Sequence, residues 1–352
     1  MSVNCDSLSE TRISCILAII MRKTETVKKS EEAPLHWSEH KEEAAGYWQL
    51  KFLLILFWSL PTVVLGIIVF PVGFFYFLFS KRGRTESKRF LQKAACFIDD
   101  PKLAKKCRSR FGPLRHIISF SLSLIEKLQG WGGKFSFNDI CFQDDDIKEL
   151  ISELEAGKGV VLLFSHLGNA MLLQGLLNLG KTGVSRKIPV TAIMDMKVNA
   201  HFSRILNEIN PQSSIDLIFP DDIGSHTAVL LEERIAAGGL VLSAADRTSV
   251  DGKNIMLPFL GKEAPFSYGI FYLVSLLKAP VYFVFGMRQG DMSIKPKYNM
   301  HVHKSPLSFD CPRKERMERT SLLASSFVEL LEKYGKKHPF QWYNFHDFWM
   351  GQ

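Results

Sequence analysis

GVVLLFSHLGNAMLLQ, residues 159–174, decides how this chain is read. Val160–Phe164 is a continuous apolar run of strand length, as expected for a strand buried on both faces. His166, Gly168 and Asn169 interrupt it, and an apolar, helix-like pattern follows. A histidine where a strand gives way to a helix stands where general bases are commonly placed. Such a base usually has a carboxylate to hold its ring. None lies between Glu155 and Asp195, and position 171 is methionine. Two readings of His166 stay open on these residues: a base without its usual partner, or a buried polar side chain.

Working outward, the same texture repeats. FSFNDICF (135–142) reads as a strand and IKELISELEAG (147–157) as a helix ending on Gly157. IPVTAIMDM (188–196) is a strand, followed by a helix at HFSRILNEIN (201–210). IDLIFP (215–220) is a strand, HTAVLLEERIAAG (226–238) a helix with a glycine stop, and LVLSAAD (240–246) a strand. PFSYGIFYLVSLLKAP (265–280) reads as a helix closed by Pro280. VYFVFGMR (281–288) and SIKPKYNMHVH (293–303) read as strands, and 313–339 as a long helix. Strands alternating with helices predict an α/β domain over 85–352, with a largely parallel central sheet flanked by helices.

A membrane helix is expected in front of it. Residues 52–80, FLLILFWSLPTVVLGIIVFPVGFFYFLFS, carry no charge, and about 20 apolar residues suffice to cross a bilayer. Pro61 and Pro71 make a bent or re-entrant insertion the alternative. The membrane-anchoring segment is expected over 38–84, behind a disordered extension at 1–37. After it comes a basic helical region in which Leu114, Ile117, Ile118, Leu122, Ile125 and Leu128 recur at helical spacing. Lys105, Lys106, Arg108, Arg110 and Arg115 either rest on anionic head groups or form a solvated face.

The 44 lysines and arginines exceed the 36 acidic residues, for a formal net charge of +8. That balance favours an anionic membrane face or an acidic carrier protein. No zinc-finger spacing or RNA-recognition aromatic motif appears, so nucleic acid is not an expected partner. The cysteines are scattered, which predicts free thiols in a reducing compartment. No metal is expected, since no ligand cluster shows in the spacing. A serine hydrolase is disfavoured by the lack of a Gly-x-Ser-x-Gly elbow.

Ligands of open α/β sheets bind at the carboxyl ends of the strands. His166 stands at one such end, and Asp246–Arg247 at another. SHLGNA followed by a helix resembles the first block of the lysophospholipid acyltransferase superfamily, and within it the bacterial lipid A biosynthesis acyltransferases. The resemblance continues in order. HWSEHKEEAAGYWQLKFLLILFW resembles a leader, LSAADRTS an Asp-Arg block, LPFLGKEAPFSYGIFYLVSLLKAPVYFVF a substrate-groove block, and KKHPFQWYNFHDFW an aromatic C-terminal signature.

This resemblance implies that a fatty acyl group moves from an acyl carrier protein or coenzyme A thioester to a hydroxyl of a membrane lipid acceptor. No further cofactor is implied. His166 is then the general base, with Asp246 as auxiliary acid. Gly168 lets the backbone approach closely, Asn169 donates or caps a helix, and Arg247 holds a phosphate of the donor or pairs with Asp246. Backbone N–H groups after Leu167 are expected to receive the thioester oxyanion. The implied place is the cytoplasmic face of a bacterial inner membrane. One departure stands out. The family has Asp or Glu five residues after the histidine, and here it is Met171. A thioether neither fixes the imidazole tautomer nor stabilises imidazolium. Either Asp246 has taken over, or His166 works alone and slowly, or the fold survives as a lipid- or carrier-binding protein without the chemistry. FSYGIF is a second, smaller departure, lacking the prolines around its glycine.

Overall fold

The computed structural model describes residues 59–131, 137–170, 172, 183–193, 215–248, 252–294 and 297–349. The extension at 1–37, the helix expected over 201–210 and Met171 lie outside them. The strands are β1 (Ile140–Phe142), β2 (Val160–Gly168), β3 (Val190–Ile193), β4 (Ile215–Ile218), β5 (Leu240–Ala244), β6 (Asn254–Phe259), β7 (Lys262–Ser267), β8 (Val281–Arg288) and β9 (Tyr298–Lys304). The helices are α1 (Thr62–Phe79), α2 (Lys81–Ala94), α3 (Pro101–Arg108), α4 (Gly112–Trp131), α5 (Asp146–Glu155), α6 (Ser225–Ala236), α7 (Tyr268–Leu276) and α8 (Arg313–Lys337).

Seven strands form one sheet in the order β1-β9-β8-β2-β5-β3-β4. β8, β2, β5, β3 and β4 run parallel, while β9 is antiparallel to β8 and takes β1 as its parallel neighbour. β2 is central because its apolar run supplies both faces. Val161 and Leu163 join Phe283, Phe285 and α8's Phe327 and Leu331 in one core. Val160, Leu162 and Phe164 join Leu150, Leu154, Val190 and Leu242 in the other. Each such side chain stabilises by about 1.5–3 kcal/mol when fully buried.

The stretch at 262–280 corrects the sequence expectation. Its first residues are not helix but β7, which folds back on β6 as an antiparallel hairpin before α7 begins at Tyr268. The hairpin turns at Leu260 and Gly261, both at positive φ (49° and 73°). That is the two-residue turn that suits strand twist, here without the Asn-Gly that would announce it.

Of the membrane segment expected over 38–84, residues 38–58 lie outside the described residues. Among the described residues, no single helix is long and apolar enough to cross a membrane. α1 ends at Phe79, and Ser80 caps the start of α2 by accepting a hydrogen bond from the Gly83 N–H. The chain bends by 95° there, so only the bent pair passes by length and composition. α1 rests on α4 through Leu65 and Val69 against Ile118, Leu122 and Ile125. The C-terminal aromatics pack inward: Trp342, Tyr343, Phe348 and Trp349 are buried. The described cysteines, Cys96, Cys107, Cys141 and Cys311, are free thiols.

Candidate active site

The register of the central sheet builds the site. Phe164 of β2 pairs with Ala244 of β5. Two residues further along each strand stand His166 and Asp246, at neighbouring carboxyl ends. Asp246 Oδ1 lies 2.7 Å from His166 Nδ1, and Oδ2 accepts the His166 backbone N–H at 2.7 Å. Oδ2 also accepts the Trp342 indole N–H at 3.3 Å. Leu167 and Trp342 form a β-bridge alongside. The carboxylate is therefore clamped on ring, backbone and indole, and only 2% of Asp246 is exposed. A third of the His166 side chain remains accessible (33%). An ionised carboxylate on Nδ1 takes the N–H of the neutral ring and leaves Nε2 as the acceptor.

Arg247 Nε lies 3.3 Å from the same Nδ1. Both atoms are donors once Nδ1–H points at Asp246, so this contact is charge beside the ring rather than a competing hydrogen bond. The shorter carboxylate contact decides the tautomer. Burial and then the Arg247 cation push the His166 pKa below the usual histidine value, against the pull of Asp246. Burial alone would raise the Asp246 carboxyl, but His166 and Arg247 outweigh it and hold it low. Burial likewise lowers Arg247, against Asp246.

Sequence reasoning missed two members. Lys127 of α4 lies within electrostatic reach of both His166 and Arg247. Burial first, then Arg247, lowers its pKa to about 8. The sequence shows it only as one more polar residue on an amphipathic helix. Trp342 lies far along the chain, and no local signal joins it to Asp246.

Gly168 and Asn169 are turned to the interior. Gly168 has φ +71°, and a Cβ there would fall 2.0 Å from the Gly286 carbonyl oxygen. The missing side chain thus lets β2 close on β8. The Asn169 amide is buried and donates to the Ser123 carbonyl at 3.1 Å and the Tyr298 hydroxyl at 3.4 Å. Its backbone N–H donates to Gly286 at 2.7 Å, and that of Leu167 to Ser165 Oγ at 3.2 Å. Both are engaged within the protein, which removes the Asn169 N–H from the expected oxyanion hole. The cationic side of the site, Arg247 and Lys127, is where negative charge finds compensation.

A histidine–carboxylate pair at the adjoining carboxyl ends of two parallel strands, with cations beside it, suits proton transfer near an anionic group. The chain belongs to the bacterial lipid A biosynthesis acyltransferase family, which matches residues 138–350. Its function class is therefore acyl transfer to a lipid acceptor. The match contains His166, Asp246, Arg247 and Trp342, and leaves α1–α4 outside it. No curated protein matches the chain.

Proposed function

We propose that the protein transfers a fatty acyl group from an acyl carrier protein or coenzyme A thioester to a hydroxyl of a membrane lipid, with His166 as general base. The observation that carries this is the double contact of Asp246 on the ring and backbone of His166. Nε2 takes the proton of the acceptor hydroxyl as its oxygen attacks the thioester carbonyl. The imidazolium then returns the proton to the departing thiolate. Asp246 stabilises the imidazolium, the task that the family's acid five residues after the histidine performs. Arg247 and Lys127 offset charge on the thioester oxygen or on a phosphate of the donor. The thiols and the thioester donor fit the cytoplasmic face of a bacterial inner membrane. Attachment there falls to α1 and α2 as an interfacial pair.

The test is transfer from labelled acyl thioester into a membrane lipid extract. The native protein should be active, His166→Ala silent, and Asp246→Asn slower by about four orders of magnitude, as for loss of an orienting acid elsewhere. The second reading rests on Met171: a carrier- or lipid-binding protein without turnover. It gains if the native protein is silent and Met171→Glu restores transfer. Activity unchanged in Asp246→Asn would sink the first reading.

A further inference from the structure

The sheet register assembles a cluster that sequence spacing hides. His301 and His303 sit two apart on β9, so both rings leave the same face of the strand. β1 lies parallel beside β9, with Phe142 opposite Met300. Two residues past β1, Asp144 reaches that face. Its Oδ2 lies 2.9 Å from His301 Nδ1, and its Oδ1 4.0 Å from His303 Nδ1. One ligand atom from each of the three residues lies within 4.8 Å of the other two. The His301, His303 and Asp144 side chains are 18%, 21% and 27% exposed, sheltered yet open to an ion. Behind them, His303 Nε2 lies 2.7 Å from the Tyr334 hydroxyl of α8. A metal-ligating histidine usually hydrogen-bonds through its other nitrogen, and this bond aims Nδ1 of His303 at Asp144.

We propose that Asp144, His301 and His303 bind one divalent ion of the zinc class, clamping the β1–α5 connection to β9. Two imidazole nitrogens and one carboxylate oxygen suit Zn2+ with water in the fourth place, whereas calcium and magnesium prefer all-oxygen sets. Bonds of about 2.0–2.2 Å need ligand atoms roughly 3.3 Å apart. Asp144 sits on the short Gln143–Asp145 link, whose movement closes the gap. The His301 ring stays neutral as its proton passes from Nδ1 to Nε2. Burial lowers the pKa of both histidines, Lys333 acts in the same direction on both, and Lys337 does so on His301. These lysines also repel a metal ion, and Asp144 with Asp146 supplies the opposing charge. The site lies two strands from β2 and is independent of the acyl-transfer reading.

The full-length chain, stripped with chelator, is titrated with Zn2+ by calorimetry and with Co2+ by visible absorption. The expected result is one ion per chain, a raised unfolding midpoint, and cobalt bands of a nitrogen and oxygen set without thiolate charge transfer. His301→Gln and His303→Gln should each weaken binding at least tenfold, with His338→Gln unchanged. Equal affinity in the double His301→Gln/His303→Gln variant, a thiolate band, or no saturable binding to the native chain overturns the site. If the double variant does not fold, Asp144→Asn and the native cobalt spectrum decide.

Discussion

At the residue scale, the chemistry of His166 is set by two opposed charges on one nitrogen. Burial lowers the ring's pKa most, Arg247 lowers it further, and Asp246 raises it. A base works only when neutral. The acidic limb of the rate profile should therefore lie below the ordinary histidine value of about 6.5. Arg247→Gln should move the His166 titration upward, and Asp246→Asn downward. Proton NMR of the ring reads both shifts without needing turnover, and movement in the same direction for both variants would contradict this account. The placement of His166 and Asp246 at strand ends is legible in the sequence. Their contact is not, because the pairing of Phe164 with Ala244 fixes it across the intervening chain. Met171 marked the missing acid. Which carboxylate stands on Nδ1 was a matter of register.

At the element scale, α4 is the strut on which the site depends. Its apolar periodicity is plain in the sequence, but its buried polar face is not. His116 is fully buried between Ser87, which donates to Nδ1 at 2.9 Å, and the Trp342 carbonyl, which accepts from Nε2 at 3.0 Å. The same Trp342 donates to Asp246, so α2, α4 and that carboxylate share one polar chain. Burial lowers the His116 pKa to about 4. The unfolded chain then binds the extra proton between the ordinary value and about 4. Stability falls as pH drops through that window, by about 2 kcal/mol from this group at pH 5. Urea unfolding at pH 7 and pH 5 should show that loss, and His116→Gln should lessen it. A second strut joins α4 to β8, where Arg288 makes a two-nitrogen ion pair with Glu126 at 2.6–3.0 Å and Tyr298 donates to the same carboxylate. Glu126→Gln strands a buried guanidinium and should cost about 3–5 kcal/mol, read as a shift in urea midpoint. The β6–β7 hairpin shows why elements escape a sequence reading. Leu260 takes the left-handed conformation that Asn or Gly normally announces, held by Glu332 accepting its N–H at 2.6 Å.

At the scale of the whole molecule, the question is what covers α1. Leu65 and Val69 face α4. On the opposite side Val63, Ile67, Phe74 and Leu78, with Val64, Ile68, Phe75 and Phe79, recur at helical spacing and stay exposed, up to 58% for Ile67 and 62% for Phe79. An apolar stripe of this extent on a surface marks a contact with lipid or protein. α2 turns away by 95° and carries Arg82, Arg84, Lys88 and Arg89, cations suited to anionic head groups. The charge-free run in the sequence pointed to a membrane. That run ends at Ser80, where α1 also gives way to α2, so the end of the helix is legible while the 95° bend is not. In the interfacial seat proposed above, α1 lies against the acyl chains and α2 against the head groups. The protein should float with vesicles of phosphatidylethanolamine and phosphatidylglycerol, and salt should weaken but not abolish the binding. Each buried apolar side chain contributes about 1.5–3 kcal/mol, so the double variant Ile67→Lys/Phe75→Lys should lose at least about a hundredfold in vesicle affinity. Its melting temperature should hold, since both residues are exposed. Equal flotation of the native and double-variant proteins would mean that this stripe meets something other than lipid.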